Sequence, residues 1–244
     1  MPALRFDAER ERAELREYLG DEYEERRLER YAEQLDDELR EIGDEETLYR
    51  TSQAYLYNLT AFAMTGTKLP YLEVLLDAVP PGARVLDYGC GIGSDGLMLL
   101  EQGYDVAFAD FDNPSARYLR WRLERRGLSA PVHDLDAEEP PRDFELVYAF
   151  DVIEHVADPF AFLDRMERLG RHVLVNFLDP EPGETELHHP LPVRELLERC
   201  ARRELLRYRR YHGRSHLVLY RTGTARGIRR LRSLAVMARG RAFG

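Results

Sequence analysis

The chain has 244 residues, 44% of them hydrophobic and 10% aromatic, which suits one large domain with an appendage and is too apolar for a disordered chain. A formal net charge of −10 argues against general nucleic-acid binding. No apolar run approaches the ~20 residues that span a bilayer, so no membrane partner is expected. Two cysteines, Cys90 and Cys200, are too few for a disulfide framework or a cysteine metal site and read as small buried hydrophobes.

The N-terminus becomes charged within a few residues and carries no signal-peptide core, which sets the expectation of a cytoplasmic protein. Between residues 7 and 48, Leu15, Leu19, Tyr23, Leu28, Tyr31, Leu35, Leu39 and Ile42 recur at loose helical spacing among acids and arginines. One or two amphipathic helices with a solvated face are predicted, broken at Gly20-Asp21. Residues 48–76 are apolar and aromatic. Tyr49, Tyr55, Tyr57 and Tyr71, with Arg50 and Lys68, are expected either to close over a site as a lid or to pack as ordinary helices. Pro80-Pro81-Gly82 closes this extension, residues 1–80.

From Ala83 short apolar runs alternate with helical patterns. Strands are predicted at 84–88, 105–109, 130–133, 146–150 and 172–177, and helices at 94–102, 114–126 and 159–169. The alternation points to right-handed βαβ units and a parallel sheet covered on both faces. Leu205–Tyr211 and Ser215–Tyr220 flank His212-Gly213-Arg214 and read as an antiparallel hairpin. The body is therefore placed at 81–222. The tail, 223–244, contains no acid and is read as a helix or a loose segment. Lys68 is the only lysine, so the arginine excess there fits a codon preference. The same run would also suit an acidic acceptor, or neutralise the acidic N-terminal helices.

Val85-Leu86-Asp87-Tyr88-Gly89-Cys90-Gly91-Ile92-Gly93 reads as a buried strand that breaks into a tight glycine loop opening a helix, with backbone exposed to a ligand. Gly91-Ile-Gly93-Ser-Asp-Gly96 also fits a dinucleotide fingerprint. Asp110, about 20 residues on, ends the second strand, where a carboxylate accepts both hydroxyls of a ribose. The fourth strand runs into Asp151-Val152-Ile153-Glu154-His155-Val156-Ala157-Asp158-Pro159.

Together the glycine loop and this second segment, with the terminal hairpin, resemble the class I S-adenosylmethionine (SAM)-dependent methyltransferases of the small-molecule type, over residues 83–220. The resemblance implies a Rossmann-like fold: a mostly parallel seven-stranded sheet ending in an antiparallel hairpin, here with an N-terminal helical extension. It implies SAM as cofactor, held by Asp87, which would attract the methionine ammonium through water, by Gly89, Gly91, Gly93 and Asp110, by Phe111, which would pack on the adenine, and by Asp134, Leu135 and Asp151. In the family the position of Asp134 and Leu135 receives the adenine amino group and offers a backbone amide to the ring; Asp136 competes for that role.

An activated methyl donor needs alignment and exclusion of water, and a base only where the acceptor loses a proton. His155, His188 and His189 are candidate bases, with Glu154 and Asn176 nearby in the pattern. Asp151, Glu154 and His155 are spaced i, i+3, i+4, so one helical turn would aim them together and, with His188 or His189, offer a divalent metal site. RNA 2′-O-methyltransferases resemble this in a Glu-x-x-Glu-His arrangement. No metal is expected. The expected reaction is methyl transfer to oxygen or nitrogen of a small metabolite, an acidic one among the candidates, with nucleic acid disfavoured. The alternatives are a nicotinamide-dependent oxidoreductase using the same loop, a non-catalytic SAM-binding scaffold, and an RNA-modifying enzyme.

Overall fold

The structure, a computed structural model, describes residues 4, 6–181 and 185–242. Seven strands hydrogen-bond in the order β3-β2-β1-β4-β5-β7-β6. They are β1 Arg84–Tyr88, β2 Asp105–Asp110, β3 Val132–Asp134, β4 Phe144–Ala149, β5 Gly170–Leu178, β6 Arg203–Tyr211 and β7 Ser215–Thr224. The helices are α1 Ala8–Leu19, α2 Glu25–Glu29, α3 Tyr31–Ile42, α4 Glu45–Thr51, α5 Ala54–Met64, α6 Leu69–Ala78, α7 Ser94–Glu101, α8 Pro114–Arg125, α9 Pro159–Leu169, α10 Val193–Arg202 and α11 Ile228–Ala242. Contacts divide the chain into two units: residues 1–82 with 89–140, and residues 83–88 with 141–244.

In the first unit β2 and β3 run parallel, with Asp110 opposite Asp134. Helix α8 starts where the sequence demands. The Asn113 side chain accepts from the Ala116 N–H at 2.8 Å, and Pro114 takes the first helical position, where no N–H is needed. The N-terminal segment is broken more often than predicted. A 3-10 turn at Gly20–Glu22 is followed by three further helices before α5, and Gly43 ends α3 in the left-handed region at φ 69°. Leu15, Leu28, Leu56, Tyr57, Ile92 and Tyr118 form one buried cluster there. Strand β3 begins two residues later than expected. Pro131, lacking an N–H, remains outside it, although its carbonyl still accepts from Phe108 at 2.9 Å.

In the second unit β1, β4 and β5 are parallel and β7 pairs antiparallel to β5. The apolar runs Leu146–Ala149 and Val173–Val175 are buried without alternation, as strands covered on both faces must be. The hairpin turns at His212 and Gly213, with φ of 52° and 75°, and Arg214 N–H donates to the Tyr211 carbonyl at 3.1 Å. Positive φ at both central residues is what a type I′ turn requires. The tail forms α11, packed on β6.

Candidate active site

The glycine loop belongs to the first unit. Gly89, Gly91 and Gly93 have φ of 79°, 51° and 70°, a region that L side chains rarely adopt. A Cβ on Gly93 would also fall 2.4 Å from Leu119 Cδ1. The N–H groups of Gly89 and Cys90 both donate to the Ala109 carbonyl, at 2.8 and 3.2 Å, which ties the loop to β2.

Asp110 tightens the same junction. Its Oδ2 accepts from the Gly91 N–H at 2.7 Å and its Oδ1 from the Phe111 N–H at 2.8 Å. Burial pushes this carboxyl above the ordinary range; the Gly91 and Phe111 N–H groups and the Asn113 side chain oppose the shift without cancelling it. Each carboxylate oxygen has received one backbone donor and retains acceptor capacity for another, which is the requirement for holding a vicinal diol.

Phe111 is 40% exposed, and the Arg50 guanidinium lies over its ring, 5.0 Å from the centroid. Arg50 also pairs with Asp136. That pairing, led by the side-chain hydrogen bond, holds the Asp136 carboxyl below its usual value. The Leu135 N–H donates to the Asp110 carbonyl at 3.0 Å and the Asp136 N–H to Asp134 Oδ1 at 3.0 Å. The backbone amide expected of Leu135 for a purine ring is thus engaged by β2, because it continues the parallel β2–β3 ladder one residue past Asp134.

The six lid candidates separate in the same unit. Tyr57 and Tyr71 are core residues, each 1% exposed, and the Tyr57 hydroxyl accepts from the Glu24 N–H at 3.0 Å. Tyr49 and Tyr55 make an edge-on pair at 5.2 Å, and Lys68 lies 3.6 Å from Asp95.

A group that sequence reasoning missed braces the loop from behind. Arg122 of α8 is fully buried. Its Nη1 donates to the Ile92 carbonyl at 2.8 Å and to Ser94 Oγ at 2.9 Å, and its Nε to Glu14 Oε2 at 2.8 Å. Its Nη2 pairs with Glu11. Ser94 Oγ in turn donates to Glu11 Oε2 at 2.7 Å, while Arg126 holds both oxygens of Glu14, at 2.7 and 2.8 Å. Burial works to raise the Glu14 carboxyl, but Arg126 and Arg122 outweigh it and hold the group below the ordinary value.

The second unit gathers the acid and imidazole candidates. Asp87 is buried on β1, opposite Tyr148 of β4. Asp151, just past β4, takes φ 54°, unusual for a residue with a side chain. Asn176 of β5, itself fully buried, holds it from two sides: Asp151 N–H donates to Asn176 Oδ1 at 2.9 Å, and Asn176 Nδ2 donates to Asp151 Oδ1 at 2.7 Å. Asn176 Nδ2 also reaches Ser215 Oγ at 3.1 Å.

The helical turn predicted to aim Asp151, Glu154 and His155 together is only a 3-10 turn, Ile153–His155, and Asp151 lies outside it, facing Asn176. Glu154, His155 and His188 do converge, with one ligand atom from each within 4.8 Å of the others. His189 is not in that group; its N–H donates to the Glu154 carbonyl at 2.7 Å. His155 Nδ1 lies 3.0 Å from the Leu187 carbonyl. A carbonyl only accepts, so Nδ1 carries the proton and Nε2 is the basic nitrogen. The His155 and His188 rings meet edge-on at 4.7 Å.

Cys200 is buried and its thiol pushed up by burial; Cys90 is half-buried, and both are free thiols. No helix among the described residues is long and apolar enough to cross a membrane.

Comparison with known proteins places these features in a family. The profile of a family described as a methyltransferase domain matches residues 61–215. The chain is similar to proteins named ubiquinone biosynthesis O-methyltransferase. That of Ruegeria sp. (strain TM1040) is 33% identical over 100 residues, 40% of each chain, and that of Xylella fastidiosa (strain 9a5c) is 33% identical over 113 residues, 44% of each. The chain thus spans about two fifths of the length of the curated relatives it matches. Among solved structures it is similar to a SAM-dependent methyltransferase from Aquifex aeolicus, with TM-score 0.51, 18% identity, and coverage of 63% of this chain and 89% of that one. It is also similar to magnesium protoporphyrin IX methyltransferase from Synechocystis PCC 6803 with bound SAH, with TM-score 0.54, 16% identity, and coverage of 77% and 97%. At these identities the likeness speaks for the Rossmann-like methyltransferase fold.

Proposed function

Because the chain belongs to the methyltransferase-domain family, we propose that it transfers the methyl group of SAM to an oxygen of a small-molecule acceptor. The observation that carries the reading is Asp110: a carboxylate drawn onto the glycine loop through the Gly91 N–H, with one acceptor position per oxygen left for a ribose. The relatives' names support oxygen as the acceptor atom.

Bound SAM supplies a methyl group already activated on a sulfonium. The chain supplies the rest. Gly89, Gly91 and Gly93 keep the loop backbone open, Asp110 takes the ribose diol, and Asp87 serves the ammonium. Phe111, with the side chains of Asp134 and Leu135, serves the purine. His155 Nε2 takes the proton of the acceptor hydroxyl, its ring held by the Leu187 carbonyl. Asp151, fixed by Asn176, serves the cofactor. His188 stands against His155, and His189 anchors the following loop through its N–H to Glu154.

Calorimetry with SAM and with its demethylated product tests this directly. Asp110→Ala is expected to weaken both by about a hundredfold or more, the loss of two charge-assisted hydrogen bonds. Normal affinity in that variant overturns the placement. His155→Gln is expected to lower kcat while leaving SAM affinity within about twofold. Wild-type protein that binds SAM but methylates none of a panel of phenols, catechols and carboxylates would instead favour a scaffold.

A further inference from the structure

Helix α11 divides its surface into three sectors. At about 100° per residue, Ser233, Met237 and Gly240 share the face turned to β6. Ser233 and Met237 are buried. Ser233 Oγ accepts from the Leu205 N–H and donates to the Arg203 carbonyl, both at 3.0 Å. A Cβ on Gly240 would lie 2.1 Å from Tyr208 Cδ1, so the helix backbone there lies against that ring.

The opposite face is apolar and uncovered. Ile228, Leu231 and Leu234 are 65%, 67% and 52% exposed, and Ala235 and Ala238 extend the same row. At the helical repeat these five fill an arc of about 120°. Arginines border it on both sides, Arg232 and Arg239 along one edge and Arg230 along the other, all exposed, with Arg226 just ahead of the helix. Of the bordering basic residues, Arg229 alone is drawn inward, lying 3.5 Å from Glu204. Single exposed aliphatic residues are ordinary, but an ordered row opposite a helix's packed face contributes nothing to the fold and marks a surface meant to be covered.

We propose that α11 is a docking surface for an anionic lipid bilayer, its aliphatic row entering the acyl boundary while the bordering arginines hold lipid phosphates. A bilayer interface offers apolar and anionic chemistry in that sequence across one helix. A nucleic-acid backbone would satisfy the arginines and leave Ile228, Leu231 and Leu234 in water. An apolar protein groove would cover the row and desolvate the arginines. Arginine suits the border because its apolar stem lies along the acyl boundary while the guanidinium reaches the headgroups. Residues 221–244 contain no acid, against −10 for the whole chain, so the attraction is local to this helix. Such a helix lies in the interface and spans nothing.

The test is co-sedimentation of the full chain with phosphatidylcholine vesicles, with and without phosphatidylglycerol. Binding is expected only with the anionic lipid, falling about tenfold or more in high salt. Leu231→Glu and Leu234→Glu each change an exposed side chain, so melting should stay at the wild-type temperature while vesicle affinity falls about tenfold. Arg230→Glu with Arg232→Glu is expected to do the same, and Arg194→Glu, exposed on α10, to do nothing. SAM binding in solution should be unchanged in every α11 variant, so this inference and the proposed reaction fail separately. Four results overturn it: no vesicle binding, equal binding to neutral vesicles, RNA binding that Leu231→Glu leaves intact, or a wild-type dimer that Leu231→Glu dissociates.

Discussion

In the first unit the buried carboxylates Glu11 and Glu14 face Arg122 and Arg126; in the second, buried Glu154 lies within 4.8 Å of His155 and His188. A guanidinium keeps its charge at any pH a protein survives, whereas an imidazole nitrogen is able to take up or give up a proton. The first arrangement is locked, and it spends its charge on backbone: Arg122 ends on the Ile92 carbonyl inside the glycine loop. The second can move a proton. The contrast separates a group that holds the glycine loop in shape from the group proposed to carry the proton transfer.

Arg122→Met should break this contrast most severely. It leaves Glu11 and Glu14 buried beside one cation fewer, a loss of about 3–5 kcal/mol in urea unfolding. Because Arg122 also holds Ile92 and Ser94, SAM affinity should fall with it. Adding Glu11→Gln to that variant should restore part of the stability, since Glu14 keeps Arg126 and no buried charge then lacks its counterpart. Glu154→Gln should invert the pattern, with a smaller loss of stability and a larger loss of turnover. Equal behaviour of Arg122 and Glu154 variants in both assays would erase the distinction.

Asn176→Ala comes next. It removes both hydrogen bonds that hold Asp151 at φ 54° and the contact to Ser215. The expected cost is about 1–3 kcal/mol, read by thermal melting, with a drop in kcat larger than any change in SAM affinity.

Acid should reach the first unit through Glu14. Its folded-state pKa lies below the ordinary 4.5, so its contribution to stability is complete above that value and is lost as pH falls through the lowered one. Hydrogen exchange should show α1 losing protection as pH falls below 4.5 toward the lowered value, before β4 and β5 do. Protection that declines first in β4 would place the weakness elsewhere.

Much of this was legible in the chain. Residues 84–88 and 159–169 form the elements expected of them because an unbroken apolar run and a Pro-capped amphipathic run leave little choice. The place of Asp110, at the end of β2 against the glycine loop, was readable because it depends on local spacing to the glycines. The brace was not. Glu11 and Glu14 look like a solvated face, and nothing local announces that their partner lies 108 residues on from Glu14. The signal present was weak: Glu11 and Glu14 lie on the same side of α1 as buried Leu15, and Arg122 and Arg126 are one turn apart on α8. Asp151 misled for a different reason. Its i, i+3, i+4 spacing to Glu154 and His155 presumes a helix, and the left-handed backbone at Asp151 breaks that geometry before it starts. Tyr57 and Tyr71 show that aromatic composition does not separate a lid from a core.

Arg50 gives the smallest and most discriminating effect. It is an arginine in the first unit that braces no buried acid; it spans exposed Asp136 and the face of exposed Phe111. Surface pairs of this kind contribute little to folding, so Arg50→Ala should melt within ~2 °C of wild type. Its ligand effect should still be measurable. A cation over one face of Phe111 fixes the ring and leaves the other face for a flat heteroaromatic, so losing it should weaken SAM by about threefold. Phe111→Ala should weaken SAM further, by about tenfold, and the double variant should match Phe111→Ala alone, because Arg50 acts only through the ring. Additive losses would mean that Arg50 reaches the nucleoside itself.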